Sequence, residues 1–215
     1  MVHERFQKWR QMGVFEKLIK RMAEYYAREC SGISWKWQAM DSKHCAAPLG
    51  GQKTGNNPTD RGKSGAKINL LVDGRGAPIS IVLTGANRHD KVSATELICS
   101  VATKNPAHKE QHLCADKAYD SDDLREFLAS AGYIEHIKVN PRRKGSAEGS
   151  AEHPSNDDES SKRIHPARRW IVERTISWLV KRRSLRTRWS KKAENWLALV
   201  ELACAHILLN LAVFG

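Results

Sequence analysis

Three carboxylates in this chain are set where they could act together. Glu173 is the one acid in residues 168–189 (RRWIVERTISWLVKRRSLRTRW), among eight arginines and lysines and three tryptophans. Asp41 and Asp116 each follow a short apolar run that reads as a strand, WQAM before the first and HLCA before the second. If those strands are neighbours and the helix of Glu173 packs across them, the three acids converge. Such a cluster repels itself, and some members stay protonated unless a cation is present. Mg²⁺ suits the role, with Mn²⁺ as its substitute, because it favours oxygen ligands and completes its shell with water and phosphate. Two such ions about 3.5–4 Å apart can activate a water or a 3′-hydroxyl and stabilise the leaving oxygen of a phosphodiester. The competing reading makes each acid a surface cap or an ion-pair partner. Arg169, four residues before Glu173, can satisfy it on the same helix face.

The charge balance points the same way. The formal net charge is +12, so the natural partner is a polyanion such as nucleic acid. Arg61, Lys63 and Lys67 lie in a segment rich in Gly, Pro, Asn and Thr, placed to touch phosphates. Arg168, Arg169, Lys181, Arg182, Arg183, Arg186 and Arg188 form a second basic track around Glu173. Trp189 either stacks on a base or finishes a core.

Other chemistries are excluded by missing partners. Gly62-Lys63-Ser64 looks like the end of a phosphate-binding loop, but Asn57 stands where that loop needs a glycine. His44-Cys45 has no second ligand pair at zinc spacing. Five cysteines without CxxC spacing read as reduced thiols of a cytoplasmic protein. No signal peptide opens the chain, and the apolar stretch of residues 196–214 carries Glu201, His206 and Asn210. That stretch therefore reads as a core helix and not a membrane span.

These residues must be positioned by an α/β fold. Residues 1–31 read as helical, with a break near Gly13. Ile33, Trp35, Trp37 and Ala39 predict a strand ending at Asp41, followed by a long loop over 42–67. Residues 68–72 and 78–83 flank Asp73-Gly74-Arg75-Gly76, a hairpin signal. A helix over 92–101, a strand over 112–115, a helix around Leu124–Leu128 and a strand over 134–139 follow. Residues 144–166 are dominated by Ser, Glu, Asp and Gly and read as a mobile insert. The helix of Glu173 and the C-terminal helix complete one mixed sheet with its covering layers.

The chain resembles the insertion-sequence transposases of the DDE class. The segments that carry the resemblance are WQAMD (37–41), APLGGQKTGNNPTDRGK (47–63), DGRGAP (73–78), GANRHD (85–90), ADKAYDS (115–121) and ARRWIVERTISW (167–178). LVKRRSLRTRW and ENWLALVELACA continue it, so it covers nearly the whole chain. It implies a ribonuclease H-like mixed sheet flanked by helices over 32–215, with residues 1–31 as an N-terminal helical remnant. It also implies that Asp41, Asp116 and Glu173 are the metal-binding triad, and that Arg169 and Lys181 meet substrate phosphates. The implied activity is cleavage at the ends of a mobile element and joining of the ends to target DNA. The expected active complex is a homodimer in the bacterial cytoplasm, associated with the nucleoid. Two departures stand out: His165-Pro166 replaces a tyrosine two turns before the glutamate, and Ser42-Lys43-His44 after the first aspartate is atypical. Family members also carry a helical segment upstream of the part resembling residues 3–18. One rival is therefore an inactive, shortened transposase that occupies DNA or poisons dimers. The other is a structure-selective nuclease on the same core.

Overall fold

The computed structural model describes residues 1–58, 60–101, 110–139 and 168–215. The expected insert of residues 144–166, including His165 and Pro166, lies outside the described residues. Two helices open the chain, α1 (Val2–Gln11) and α2 (Val14–Glu29). Gly13 separates them at φ +65°, a left-handed conformation that glycine adopts at little cost. Then come β1 (Trp37–Ala46), β2 (Gly55–Asn56), β3 (Ser64–Asp73) and β4 (Pro78–Gly85). α3 (Asp90–Cys99), β5 (Gln111–Ala115), a 3-10 turn (Lys117–Tyr119), α4 (Asp122–Ser130) and β6 (Tyr133–Ile137) follow. The last described elements are α5 (Trp170–Val180), α6 (Arg183–Arg186) and α7 (Ala193–Phe214).

β3 is the spine of the sheet. One edge pairs antiparallel with β1, and the other with β4 and, at its start, with β2. β5 adds parallel to β1, and β6 adds parallel to β5. The result is a mixed sheet flanked by helices, the α/β architecture expected from the sequence. Side chains alternate across a strand, so the two faces make two cores. Trp37, Ala39, Ile68, Leu70 and Val72 pack under Val172 and Ile176 of α5 and Trp196 and Val200 of α7. Met40, Leu71 and Leu113 pack under Leu97 of α3 and Leu124 and Leu128 of α4.

Boundaries differ from the expectation: β1 starts at Trp37 and not at Ile33, and β3 starts at Ser64, inside the expected loop. β1 does not stop at Asp41; it runs on through Ser42, Lys43 and His44 to Ala46. Ladder pairing with β3 is continuous from Gln38 opposite Asp73 to Ala46 opposite Gly65. Non-local hydrogen bonding holds polar residues in a strand that their composition alone does not announce.

The N-terminal helices are tied to the sheet by a buried acid. Asp73 is fully buried at the end of β3, a placement tolerable for a carboxylate only when it is well hydrogen-bonded. The Tyr26 hydroxyl of α2 donates to it at 2.8 Å, and the backbone N–H groups of Ser34, Arg75 and Ala77 donate at 2.9–3.0 Å. α7 is long and apolar enough to cross a membrane by length and composition. Its Trp196, Val200, Cys204 and Ile207 are instead buried against the sheet, and Leu208 packs beside Tyr26 of α2.

Glu201 on α7 carries a pH-dependent cost. Burial first, and then the Glu16 carboxylate, push its pKa up to about 7, while Lys20 opposes them. The folded state therefore holds a proton that the unfolded chain has already released, and stability falls as pH rises from about 4.5 towards 7. Glu201→Gln should raise the melting temperature at pH 8, with no gain at pH 4. Melting curves at the two pH values check this; an equal gain at both would contradict it.

Candidate active site

The register of the parallel pair sets two of the acids side by side. Ala39 of β1 stands opposite Cys114 of β5. Asp41 and Asp116 each lie two residues further along, at the same height on neighbouring strands. Asp41 sits inside β1, opposite Leu70 of β3. Asp116 follows β5 directly and caps the 3-10 turn, accepting the Lys117 N–H at 2.8 Å.

The third acid comes from α5. Ile171, Val172, Thr175, Ile176 and Leu179 form its buried stripe, which fixes the helix on the sheet. Thr175 Oγ1 donates to the Gly76 carbonyl at 2.8 Å, and Arg174 donates to the Arg75 carbonyl at 2.6 Å, clamping the helix to the β3–β4 turn. That clamp leaves Glu173 off the buried stripe, in the first turn of α5.

Arg169 joins the acids. Its guanidinium lies 2.7 Å from Asp116 Oδ1 and 3.0 Å from Glu173 Oε1. The i,i+4 pair with Glu173 was legible from spacing; the bond to Asp116 was not. Both pairs are roughly half exposed, so they add little to stability. Asp41 is deeper. Burial pushes its carboxyl up to about 6; the Ser42 N–H and Arg169 pull it down, and Asp116 and Glu173 push it up again. All three carboxylates thus share one field, with one guanidinium interposed.

The donor chemistry fits a hard divalent cation: three carboxylates whose mutual repulsion demands positive charge. In this arrangement Arg169 meets that demand. Among the described residues, no three His, Cys, Asp or Glu side chains close around a point as metal ligands do.

The basic residues divide into two sets. Arg61, Lys63, Lys181, Arg183 and Arg186 are exposed, and Arg168 lies over the Trp37 ring at 4.9 Å. Arg182 is half-buried and reaches the Trp178 carbonyl and His206. Lys67 and Arg188 are corrections to the expected DNA contacts, because both are buried. Lys67 is not in a loop: it is on β3, and its ammonium pairs with Asp90 at 2.8 Å and donates to the Arg88 carbonyl at 2.6 Å. Arg188 donates to the carbonyls of Gln52, Lys53, Ser190 and Lys191 and lies over the Trp196 ring. Trp189 is exposed, whereas Trp37 and Trp196 are buried in the core. Sequence reasoning singled out neither the partly buried Asp90 nor the buried Tyr119, whose side chains lie near Asp41. Only the GANRHD and ADKAYDS segments marked their neighbourhoods.

Comparison with known proteins gives consistent results. The family described as transposase DDE domain matches residues 37–208. A candidate transposase for insertion sequence element IS402 from Burkholderia cepacia is 32% identical over 176 residues, 80% of this chain and 74% of the relative. A candidate transposase for insertion sequence element IS6501 from Brucella ovis is 31% identical over 145 residues, 67% of this chain and 98% of the relative. A crystal structure of the Mos1 strand transfer complex aligns over 91% of this chain and 63% of that one, with 12% identity and a TM-score of 0.34. That structural likeness is too low to argue from.

Proposed function

This chain belongs to the transposase DDE-domain family, and from that premise we propose that Asp41, Asp116 and Glu173 are its catalytic carboxylates. The observation that carries the reading is that Asp116 at the end of β5 and Glu173 on α5 share the Arg169 guanidinium, while Asp41 on β1 lies within the field of all three. Asp41, Asp116 and Glu173 would hold Mg²⁺, or Mn²⁺ in its place. When bound, the cation supplies Lewis-acid activation of the attacking oxygen and charge stabilisation at the phosphodiester.

The protein's own groups set the conditions for that chemistry. Asp41 must be ionised, and the Ser42 N–H at 2.8 Å favours its charged form against the cost of burial. Arg169 presents a planar fork that matches carboxylate and phosphate equally well, so it can hold the acids together or receive a DNA phosphate. The exposed cations Arg61, Lys63, Lys181, Arg183 and Arg186, with Arg168 and Arg182, are the proposed contacts to the DNA backbone. The substrate is the end of the chain's own mobile element, cut and then joined to target DNA by a homodimer. The catalytic core spans residues 32–215, with the helices of residues 1–31 packed on α7.

Two assays test the reading. Nicking of supercoiled plasmid that requires Mg²⁺ is expected from the catalytic core. Joining of the cut strand to a second duplex is expected from a transposase and not from a plain nuclease. A protein that bound DNA tightly but neither nicked nor joined it would overturn the catalytic reading.

Affinity offers a separate check. Replacing Lys181, Arg183 and Arg186 with alanine should weaken binding uniformly across sequences. Each lost phosphate contact should lower the slope of log affinity against log salt by roughly one unit. An unchanged slope, measured by fluorescence anisotropy at several salt concentrations, would place this track away from DNA.

A further inference from the structure

Directly behind Asp41, on the α3 face of the sheet, lies a buried polar group that the chemistry above does not use. Lys67 points there from β3, almost wholly buried, with its ammonium 2.8 Å from Asp90 Oδ1 and 2.6 Å from the Arg88 carbonyl. Asp90 is the first residue of α3, where the helix's unpaired N–H groups favour an acid. The same Oδ1 accepts the Ser42 hydroxyl at 2.8 Å. Ser42 is the next residue after Asp41 on β1, and its N–H donates to Asp41 Oδ1 at 2.8 Å. The chain of contacts therefore runs from Lys67 to Asp90, to Ser42, and through the backbone to Asp41.

Neighbouring polar groups hold this chain in place. Ser93 Oγ donates to Asn69 Oδ1 and lies 2.9 Å from the Asp90 carbonyl, and Asn69 donates to the Val82 carbonyl and Thr84 Oγ1. A buried ion pair is a weak source of stability, because desolvation offsets most of the attraction. An apolar pair would fill the same space at less cost. What the ion pair supplies is direction: an ammonium and a hydroxyl on one carboxylate oxygen leave residue 42 little freedom to turn.

We propose that Lys67, Asp90 and Ser42 are positioning residues that fix the Asp41 carboxylate for cation binding. The inference rests on the reading of Asp41 as a metal ligand. Groups that orient a ligand are worth as much as a ligand's own geometry, and their loss typically costs about 10–100-fold in metal affinity or activity.

The test uses the full chain and MgCl₂. Ser42→Ala and Asp90→Asn are compared with the parent by two readouts: the Mg²⁺-dependent rise in melting temperature, which needs no catalysis, and the Mg²⁺ dependence of plasmid nicking. Both variants should require about tenfold more Mg²⁺ for half-effect in each readout, with DNA affinity unchanged. Ser42→Thr, which keeps the hydroxyl, should restore the parent midpoint. If Asp90→Asn fails to fold, Ser42→Ala alone decides, since it removes one oxygen from a partly buried site. A folded Ser42→Ala with its Mg²⁺ midpoint within about twofold of the parent overturns the positioning role. Asp41→Asn is the control: if it leaves the Mg²⁺-dependent melting shift intact, Asp41 is not a ligand and the reading beneath the inference fails instead.

Discussion

Asp41→Asn, Asp116→Asn and Glu173→Gln will each reduce Mg²⁺-dependent strand cleavage by orders of magnitude while DNA binding stays close to that of the parent. Each substitution keeps the shape of the side chain and removes one ligand charge, which disturbs the cation and the alignment of the attacking oxygen together. Binding survives because the proposed phosphate contacts are cations on other parts of the surface, from Arg61 to Arg186. The three positions are not equivalent. Asp41 is partly buried and has its carboxyl pushed up to about 6, so its amide replaces a charge that the fold resists. Asp116 and Glu173 are half exposed and paired with Arg169, so their amides each release one arm of that guanidinium. Rates of plasmid nicking, measured beside DNA affinity for the same preparations, check the expectation. Near-parental cleavage by Glu173→Gln would remove the helix-borne acid from the site.

Arg188→Ala will destabilise the fold by about 3 kcal/mol or more and leave the salt dependence of DNA binding unchanged. Arg188 is 1% exposed, and its guanidinium donates to four backbone carbonyls from two separate segments. The Lys191 carbonyl keeps the Gln52 N–H, but those of Gln52, Lys53 and Ser190 lose this donor, and a hydrogen bond to a charged group is worth about 1.5–3 kcal/mol. The ring of Trp196, 5.2 Å from the guanidinium, loses its cationic neighbour as well. A thermal melt together with the salt slope separates this outcome from the DNA-contact role that the sequence suggested. A stable variant with a lower slope would reverse the assignment.

Much of the scaffold was readable because its signals are local. Ile68, Leu70 and Val72 alternate along β3, and Asp73-Gly74-Arg75-Gly76 makes the turn that returns the chain as β4. The spacing of Val172, Ile176 and Leu179 placed α5, and with it Glu173. What sequence reasoning missed depends on distant partners. Ser42, Lys43 and His44 read as loop because nothing near them shows that β3 will pair with them residue by residue. Lys67 and Arg188 read as surface cations for the same reason. Charge predicts exposure unless a partner is supplied, and the partners of Arg188 at Gln52 and Lys53 lie 136 and 135 residues away in sequence.

The buried Asp73 carboxylate makes the N-terminal helices and the sheet depend on each other. Tyr26 reaches it from α2, while Ser34, Arg75 and Ala77 reach it from the segments around the β3–β4 turn. Detaching α2 would strip a buried anion of its phenol donor and bare Ala77 and Leu208 to water in the same event. Partial opening at this corner is therefore nearly as costly as opening the whole layer, so the helices have no low-energy way to peel off alone. Amide protons of β3 and those of α2 should then exchange through a shared opening, as one cooperative unit instead of a core and a fringe.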